Sequence, residues 1–186
     1  MRTLDQFVDG LRAIAPGDFT LERVGQYVAA ERVDPASLDP YVLFTPTHYT
    51  RNLIYRGAAF ELMAICWEEG QSSRIHNHQG QRCWMAVPVG RLAVQNYEVV
   101  RQDPQTGACE LKEADRLEMD PDHPSYVQPA LPVHAVLNLP EYGQRAISLH
   151  IYSLPYDRCL VYNRQNNTYC EVPLFFDTEY GEPTPE

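Results

Sequence analysis

Two histidines stand close together in a segment whose residue types could hold a metal ion. His76 and His78 are separated by one residue in the stretch Arg74-Ile75-His76-Asn77-His78. On an extended strand, residues i and i+2 point to the same face, so both imidazoles would lie on one wall. A third ligand must come from another strand, and His134 and His150 are the candidates within predicted strands. Three neutral imidazoles suit Fe(II), Zn(II), Ni(II) or Cu(II), and ligand type alone does not choose among these ions.

The elements that must position these side chains begin with a helical cap, predicted for residues 1–40. Apolar residues recur at helical spacing in two stretches, which contain Leu4, Phe7, Val8, Leu11 and Ile14, and then Leu21, Val24, Tyr27 and Val28. Pro16-Gly17 ends the first stretch. Thr20 can cap the second helix, and Glu22 in its first turn complements the helix dipole.

Residues 41–180 have the pattern of an all-β domain, in which short apolar runs alternate with turn residues. The predicted strands are Tyr49 to Tyr55, Phe60 to Trp67, Cys83 to Val89, Leu92 to Val100, Glu110 to Met119, Ser125 to Gln128, His134 to Leu139, Ala146 to Ser153, Cys159 to Tyr162, and Tyr169 to Phe176. Ten short strands usually close into a barrel or a jelly-roll sandwich. We therefore expect one β-barrel domain, followed by an extended polar tail over residues 181–186.

Composition limits the partners of the chain. Its 186 residues carry a formal net charge of -10, which argues against capture by nucleic acid or by an anionic membrane surface. One arginine in a dry pocket can still hold a small carboxylate. The five cysteines include no CxxC pair, and the N-terminal stretch shows neither a secretory signal nor an apolar span. These features predict a cytoplasmic protein, and a monomer is the simplest expectation.

The spacing around the histidines resembles the two motifs of the cupin superfamily. Gly70, the His76/His78 pair and Gly90 stand at the intervals of the first motif, but Cys83 takes the place of its glutamate. The segment from His134 to Asn138 matches the end of the second motif, although the glycines of that motif are absent. The resemblance implies a cupin jelly-roll barrel with His76, His78 and His134 as metal ligands and no carboxylate ligand.

Further segments make the chain similar to the cysteine dioxygenase family of thiol dioxygenases, from about residue 49 to residue 185. They are Tyr49-Thr50-Arg51-Asn52-Leu53, Cys66-Trp67-Glu68-Glu69-Gly70, Ser73-Arg74-Ile75-His76-Asn77-His78, Ser148-Leu149-His150-Ile151-Tyr152-Ser153, Pro155-Tyr156-Asp157-Arg158-Cys159 and Gly181-Glu182-Pro183-Thr184-Pro185. The resemblance implies oxidation of L-cysteine to cysteine sulfinate by O2 at a non-haem Fe(II) ion held by the three histidines. Cysteine and O2 are thus the expected partners.

The same resemblance assigns roles around the metal. Arg51 corresponds to the residue that grips the substrate carboxylate in arginine-type members, and Tyr49 is expected beside that carboxylate. Arginine suits this task because its planar, permanently charged fork meets a carboxylate bidentately. Tyr152 is expected to direct its hydroxyl toward substrate or oxygen. His150 and Ser148 share its strand face and should support it through hydrogen bonds.

Cys83 and Tyr152 match the pair that forms a thioether cross-link in eukaryotic-type members, so we expect this cross-link here. One departure is Ser153-Leu154-Pro155, where those members have Ser-Pro-Pro with a cis peptide. A cis bond before Leu154 would cost about 3 kcal/mol. His48 and His123 are expected to be structural or surface residues.

Two other functions stay open at this point. The chain could oxidise a different small thiol, such as mercaptopropionate or cysteamine, although arginine at position 51 favours cysteine. It could also be a catalytically silent cupin that binds a metal or small ligand, because a fold does not fix a function.

Overall fold

The computed structural model describes residues 1–127 and 129–184, and it opens with the helical segment. The α-helices are α1 (Leu4–Arg12) and α2 (Leu21–Ala30), and 3-10 turns occupy Pro16–Asp18, Pro35–Tyr41 and Pro140–Tyr142. Thr20 caps α2 by accepting a hydrogen bond from the backbone N of Arg23 at 3.1 Å, as predicted. α1 has a full capping box between Thr3 and Gln6, which the sequence analysis had not identified.

The remainder of the described chain is built from short strands. They are β1 (Thr50–Arg56), β2 (Phe60–Trp67), β3 (Ile75–His76), β4 (Cys83–Val89), β5 (Leu92–Asp103), β6 (Ala108–Met119), β7 (Ser125–Tyr126), β8 (Val133–Leu137), β9 (Ala146–Ser153), β10 (Arg158–Asn163), β11 (Thr168–Pro173), β12 (Thr178–Glu179) and β13 (Glu182–Pro183).

These strands form two layers with a shared core. One layer is a seven-stranded sheet in the order β13-β12-β1-β2-β9-β4-β7, and the other strands close on themselves in the order β10-β11-β6-β5-β8-β3. Met63, Trp67 and Met85 of the sheet pack in one buried cluster with Leu92 and Val136 of the other layer. The predicted fold class, an all-β cupin jelly-roll barrel with short N-terminal helices, is confirmed.

The helices cover the outer face of the seven-stranded sheet. Phe7 of α1 and Val24 of α2 lie in one buried cluster with Leu62 of β2 and Leu149 of β9. Every residue of β2 is buried, because its alternate side chains face the helices or the barrel interior. None of the described helices is long and apolar enough to cross a membrane.

The strand boundaries differ from the prediction mainly at short elements. β3, which carries His76, has only two residues and was not predicted, since so short a run gives no alternating pattern. Ser125 to Gln128 was predicted as one strand; β7 covers only its first two residues, and Gln128 lies outside the described residues. In the tail, exposed β13 pairs with β12, and residues 185–186 lie outside the described residues.

Candidate metal and substrate site

The structure brings three of the predicted site histidines together. His76 on β3 is the direct cross-strand partner of His134 on β8, and His78 follows β3 at a distance of two residues. One ligand nitrogen from each of the three side chains lies within 4.8 Å of those from the other two. His150, the other candidate for the third ligand, is not a member of this group. Two strands and one loop therefore bring three imidazole nitrogens close together.

The hydrogen bonds of this cluster show which nitrogens are free. The Nδ1 atom of His76 lies 2.9 Å from the Arg74 carbonyl oxygen, which can only accept, so Nδ1 carries the hydrogen and Nε2 carries the lone pair. His78 and His134 are almost fully buried, and their ring nitrogens have no hydrogen-bond partner within residues 1–127 and 129–184. Buried polar atoms normally have partners, so these free lone pairs point to a ligand that belongs there.

Burial also holds the three rings in the metal-binding form. It lowers the pKa of His76 to about 4 and the pKa values of His78 and His134 well below the ordinary value of 6.5. At neutral pH the rings are therefore neutral, as a metal ion requires. The orphaned nitrogens, the neutral charge state and the close spacing all fit a divalent metal ion held by these histidines.

A hydrogen-bonded chain runs along one face of β9 toward the cluster. The Trp67 indole N–H donates to Ser148 Oγ at 2.9 Å, Ser148 Oγ lies 2.9 Å from His150 Nε2, and His150 Nδ1 lies 3.1 Å from the Tyr152 hydroxyl. Burial lowers the pKa of His150 to about 3, so its ring is neutral and has one N–H. If Ser148 donates to Nε2, then Nδ1–H donates to Tyr152, whose own hydrogen is left to point into the adjoining cavity.

Cys83 and Tyr152 are neighbours on adjacent strands. They are direct cross-strand partners between β4 and β9, so their side chains share one face of the sheet. Both are buried, and burial raises the pKa of the Cys83 thiol, while the nearby Tyr152 hydroxyl opposes the increase. The thiol is thus held neutral beside the phenol ring.

A cavity of about 750 Å³ gathers the remaining predicted residues next to the histidine cluster. Its lining includes Tyr49, Arg51, His76, His150 and Tyr152. The Nε atom of Arg51 is buried and has no hydrogen-bond partner in the described parts of the chain. A permanently charged, partly unpartnered guanidinium on a cavity wall is a binding site for an anionic group.

Contacts on three sides hold the Arg51 segment in place. Asp177 accepts a hydrogen bond from the Arg51 backbone N at 2.8 Å, and Met63 Sδ lies 3.6 Å from Nη2. The Arg51 guanidinium lies over the Phe176 ring, at 5.4 Å from its centroid. Tyr49 stacks on Trp67 with ring centroids 4.6 Å apart, and this stacking keeps it in the cavity wall.

Tyr156 belongs to the site but was not given a role by the sequence analysis. It lines the cavity, and its ring centroid lies 5.1 Å from that of Tyr152. Burial raises its pKa well above 10, so it offers a neutral hydroxyl. Its segment, Pro155-Tyr156-Asp157, was one of those that carried the resemblance. The signal available in the sequence was the position of Tyr156, an aromatic residue shortly after the strand that bears Tyr152.

The other two histidines are exposed, as expected. His48 Nε2 lies 2.8 Å from Asp177 Oδ1 at the cavity lining, and His123 Nδ1 lies 2.8 Å from Asp120 Oδ1. The Ser153-Leu154 peptide bond is trans, and Leu154 adopts a left-handed φ of 64°. The chain thus turns after β9 with a trans peptide bond at the position where the resemblance to eukaryotic-type members implied a cis bond.

Comparisons with known proteins find one family. The model of the family described as cysteine dioxygenase type I matches residues 1–165. Cysteine dioxygenase type 1 of Homo sapiens is 29% identical over 186 residues, which cover 99% of this chain and 90% of the human protein. The Danio rerio protein of the same name is 28% identical over 185 residues, with 98% and 90% covered.

Solved structures with similar folds include a Thermus thermophilus protein and a cupin superfamily protein from Desulfitobacterium hafniense. The first has a TM-score of 0.48 at 17% identity and covers 67% of this chain and 98% of its own. The second has a TM-score of 0.46 at 14% identity and covers 67% of this chain and 93% of its own.

Proposed function

Because this chain belongs to the cysteine dioxygenase type I family, we propose that it oxidises L-cysteine to cysteine sulfinate with O2. In this reaction the thiolate sulfur gains both oxygen atoms of O2. The sulfur loses four electrons and O2 accepts four, so that no other reductant is needed. The observation that carries the proposal is that the cluster of three neutral imidazoles adjoins, through His76, the cavity whose wall includes Arg51 and Tyr152.

The histidines that would hold the metal are His76, His78 and His134. A ferrous ion bound there would supply the redox chemistry that lets O2 react with a thiolate. Because no carboxylate belongs to the ligand set, the positive charge of the ion is not neutralised by the protein and favours an anionic substrate donor such as a thiolate.

Side chains of the cavity wall would recognise the substrate. Arg51 would bind the cysteine carboxylate through two parallel hydrogen bonds, with Tyr49 beside it, because both line the cavity. Binding at both the carboxylate and the thiol would fix the orientation of the substrate and lower the entropic cost of the reaction.

Tyr152 would orient the reacting groups. With Ser148 donating to His150 Nε2, His150 Nδ1–H would donate to Tyr152 and leave the Tyr152 hydroxyl hydrogen for substrate or oxygen. Trp67 donates to Ser148 Oγ, and Ser148 lies against His150 Nε2, so these contacts hold the His150 ring beside Tyr152. Cys83 is the cross-strand neighbour of Tyr152, and we propose that its sulfur bonds to the Tyr152 ring, with the thiol hydrogen and one ring hydrogen lost and O2 as the two-electron oxidant.

An oxygen-consumption assay tests the proposed function. The protein would be loaded anaerobically with ferrous iron to one ion per chain, and O2 uptake and sulfinate formation would be measured with cysteine, mercaptopropionate and cysteamine. We expect one cysteine sulfinate per O2, and little turnover of cysteamine, which lacks a carboxylate.

Two results would contradict this proposal. Turnover of mercaptopropionate in preference to cysteine would assign the chain to another thiol. Iron-replete protein that oxidises none of the three thiols would instead support a silent metal-binding cupin. The His134→Ala variant is the matched control, because it removes one ligand and leaves Arg51 in place.

We also propose that the chain acts as a monomer in the cytoplasm and unfolds as a single domain. All five cysteines are free thiols, which agrees with a reducing compartment. Light scattering coupled to gel filtration would measure the mass. Coincident fluorescence and circular dichroism transitions would show one cooperative unit.

A further inference from the structure

Four ionisable or reactive side chains form a lateral row across adjacent strands of the seven-stranded sheet. Arg56 on β1 is paired with Glu61 on β2, Glu61 with Tyr152 on β9, and Tyr152 with Cys83 on β4. Direct cross-strand partners share one face of a sheet, with Cβ atoms roughly 5 Å apart. Glu61 therefore stands next to Tyr152 on the interior face, and no role in the proposed reaction uses it.

The Glu61 carboxyl group is enclosed without hydrogen bonds. It is 0% exposed, and neither oxygen has a hydrogen-bond partner in residues 1–127 and 129–184. Its contact with a cation is to Arg56, whose Nε lies 3.6 Å away. Arg56 also reaches outward, where Nη2 donates to the exposed Asp157 at 2.5 Å. Glu61 thus shares its counter-ion with a surface carboxylate.

This environment makes the charge of Glu61 dependent on pH near neutrality. Burial raises the pKa of Glu61 to about 7, although Arg56 and Arg51 both lower it and Asp157 raises it slightly. The charged or titratable groups that face Glu61 are Arg51, Arg56, Tyr152, Tyr156 and Asp157. The two tyrosines stay neutral over this range because burial raises their pKa values.

Glu61 and Arg51 are coupled through the interior face of the sheet. Met63, two residues after Glu61 and on the same face of β2, contacts Arg51 Nη2 at 3.6 Å. When Glu61 is ionised, its negative charge opposes the entry of a second carboxylate beside Arg51. When Glu61 is protonated, the positive charges of Arg51 and Arg56 act on that carboxylate without this opposition.

We propose that Glu61 acts through Arg51 to set the affinity of the site for the substrate carboxylate, and that protonation of Glu61 raises this affinity. The inference rests on the proposed function. It makes Glu61 a determinant of how strongly the site prefers a substrate with a carboxylate over one without. Coupling is reciprocal, so the bound carboxylate raises the proton affinity of Glu61 by the same factor. One unit charge on the order of 10 Å away at an effective dielectric constant of about 20 changes binding by roughly tenfold.

Anaerobic binding tests this proposal without turnover. Dissociation constants of 3-mercaptopropionate and 3-mercapto-1-propanol would be measured on ferrous-loaded protein at pH 6 and pH 8. The two thiols differ in the carboxylate, so the ratio of their dissociation constants largely cancels the effects of thiol ionisation. In the wild type, we expect the preference for the carboxylate to weaken by roughly fivefold from pH 6 to pH 8, because the bound carboxylate keeps Glu61 partly protonated at pH 8. In Glu61→Gln, it should stay high at both pH values.

A matched variant controls for net charge. Glu110→Gln removes the same charge from an exposed position on β6 and should behave as the wild type. An equal preference for the carboxylate at pH 6 and pH 8 in the wild type would overturn the proposal. A weaker preference at pH 8 in Glu61→Gln than in the wild type would also overturn it. Failure of both thiols to bind would overturn the proposed function instead. The pH dependence of the preference in the wild type is a test by itself. The proposal can therefore be refuted even if Glu61→Gln folds poorly.

Discussion

The buried carboxyl group of Glu61 should make the stability of the metal-free protein depend on pH in a direction that is unusual for a carboxylic acid. Its pKa is about 7 in the folded chain and near the ordinary 4.5 in the unfolded chain. The folded state therefore binds more protons between these values, and its stability falls as pH rises through them. The whole difference between these two pKa values corresponds to about 3 kcal/mol of folding free energy. This stabilisation is present below pH 4.5 and is lost above pH 7.

The experiment compares wild type with Glu61→Gln, which keeps the shape and removes the titration. Between pH 5 and pH 8, the free energy of unfolding of the wild type should fall by about 2.5 kcal/mol relative to the variant. Urea denaturation of metal-free protein would measure it through the fluorescence of the buried Trp67 and Trp84. The buried histidines also titrate, but they are common to both proteins and cancel in the difference.

The Glu110→Gln variant again serves as the control and should show no such trend relative to wild type. A constant difference between wild type and Glu61→Gln from pH 5 to pH 8 would mean that Glu61 has an ordinary pKa in the folded state. The reasoning from burial would then be refuted. A difference of the opposite slope would mean that the contact with Arg56 outweighs burial.

The remaining predictions concern the site itself. Arg51→Ala should raise KM for cysteine with a loss of about 2 to 5 kcal/mol in binding, and an unchanged KM in steady-state assays would remove Arg51 from the site. Ferrous ions at 100 times their dissociation constant should stabilise the wild type by about 2.7 kcal/mol in anaerobic denaturation, and His134→Ala should lose this gain. Ser148→Ala leaves two buried partners unsatisfied and should cost about 1 to 3 kcal/mol of stability, together with lower kcat. If the Cys83–Tyr152 thioether forms, intact-mass spectrometry should show a loss of two hydrogens, and Cys83→Ala should reduce a gel doublet to one band.

The histidine cluster could be predicted from sequence because its geometry is largely local. The i, i+2 spacing of His76 and His78 fixes a common direction once the segment is extended, and both lie near His134 in the structure. Selection of His134 over His150 needed the motif spacing, because both lie on strands. Arg51 was identified through the resemblance, since one arginine in a sequence carries no signal of its own.

Glu61 could not be assigned from sequence for a physical reason. It lies in the run Phe60–Trp67, where every residue is buried. A glutamate near the end of such a strand would ordinarily expose its carboxylate to solvent. Its burial depends on Arg56, just across the β1–β2 turn, and on Tyr152, which is remote in sequence and is brought beside it by the pairing of β2 with β9. β3 was missed for a similar reason, because its two residues are held in place by pairing with β8 and β10 rather than by their own pattern.

The net charge of -10 and the recognition of an anionic substrate are reconciled by distance and burial. Exposed charges more than about 10 Å from the cavity are largely screened at physiological salt, so the acidic surface contributes little inside. Within the site, the imidazoles are neutral, and the charged side chains that line the cavity are Arg51, Arg74 and Asp177, with Arg56 beside Glu61. Glu61 is then the buried carboxyl that can offset them, and its pKa of about 7 places this adjustment in the range where cells operate. One proton on an interior side chain should accordingly adjust the affinity for a carboxylate, and substitutions of surface acids remote from Arg56 and from the cavity should leave it unchanged.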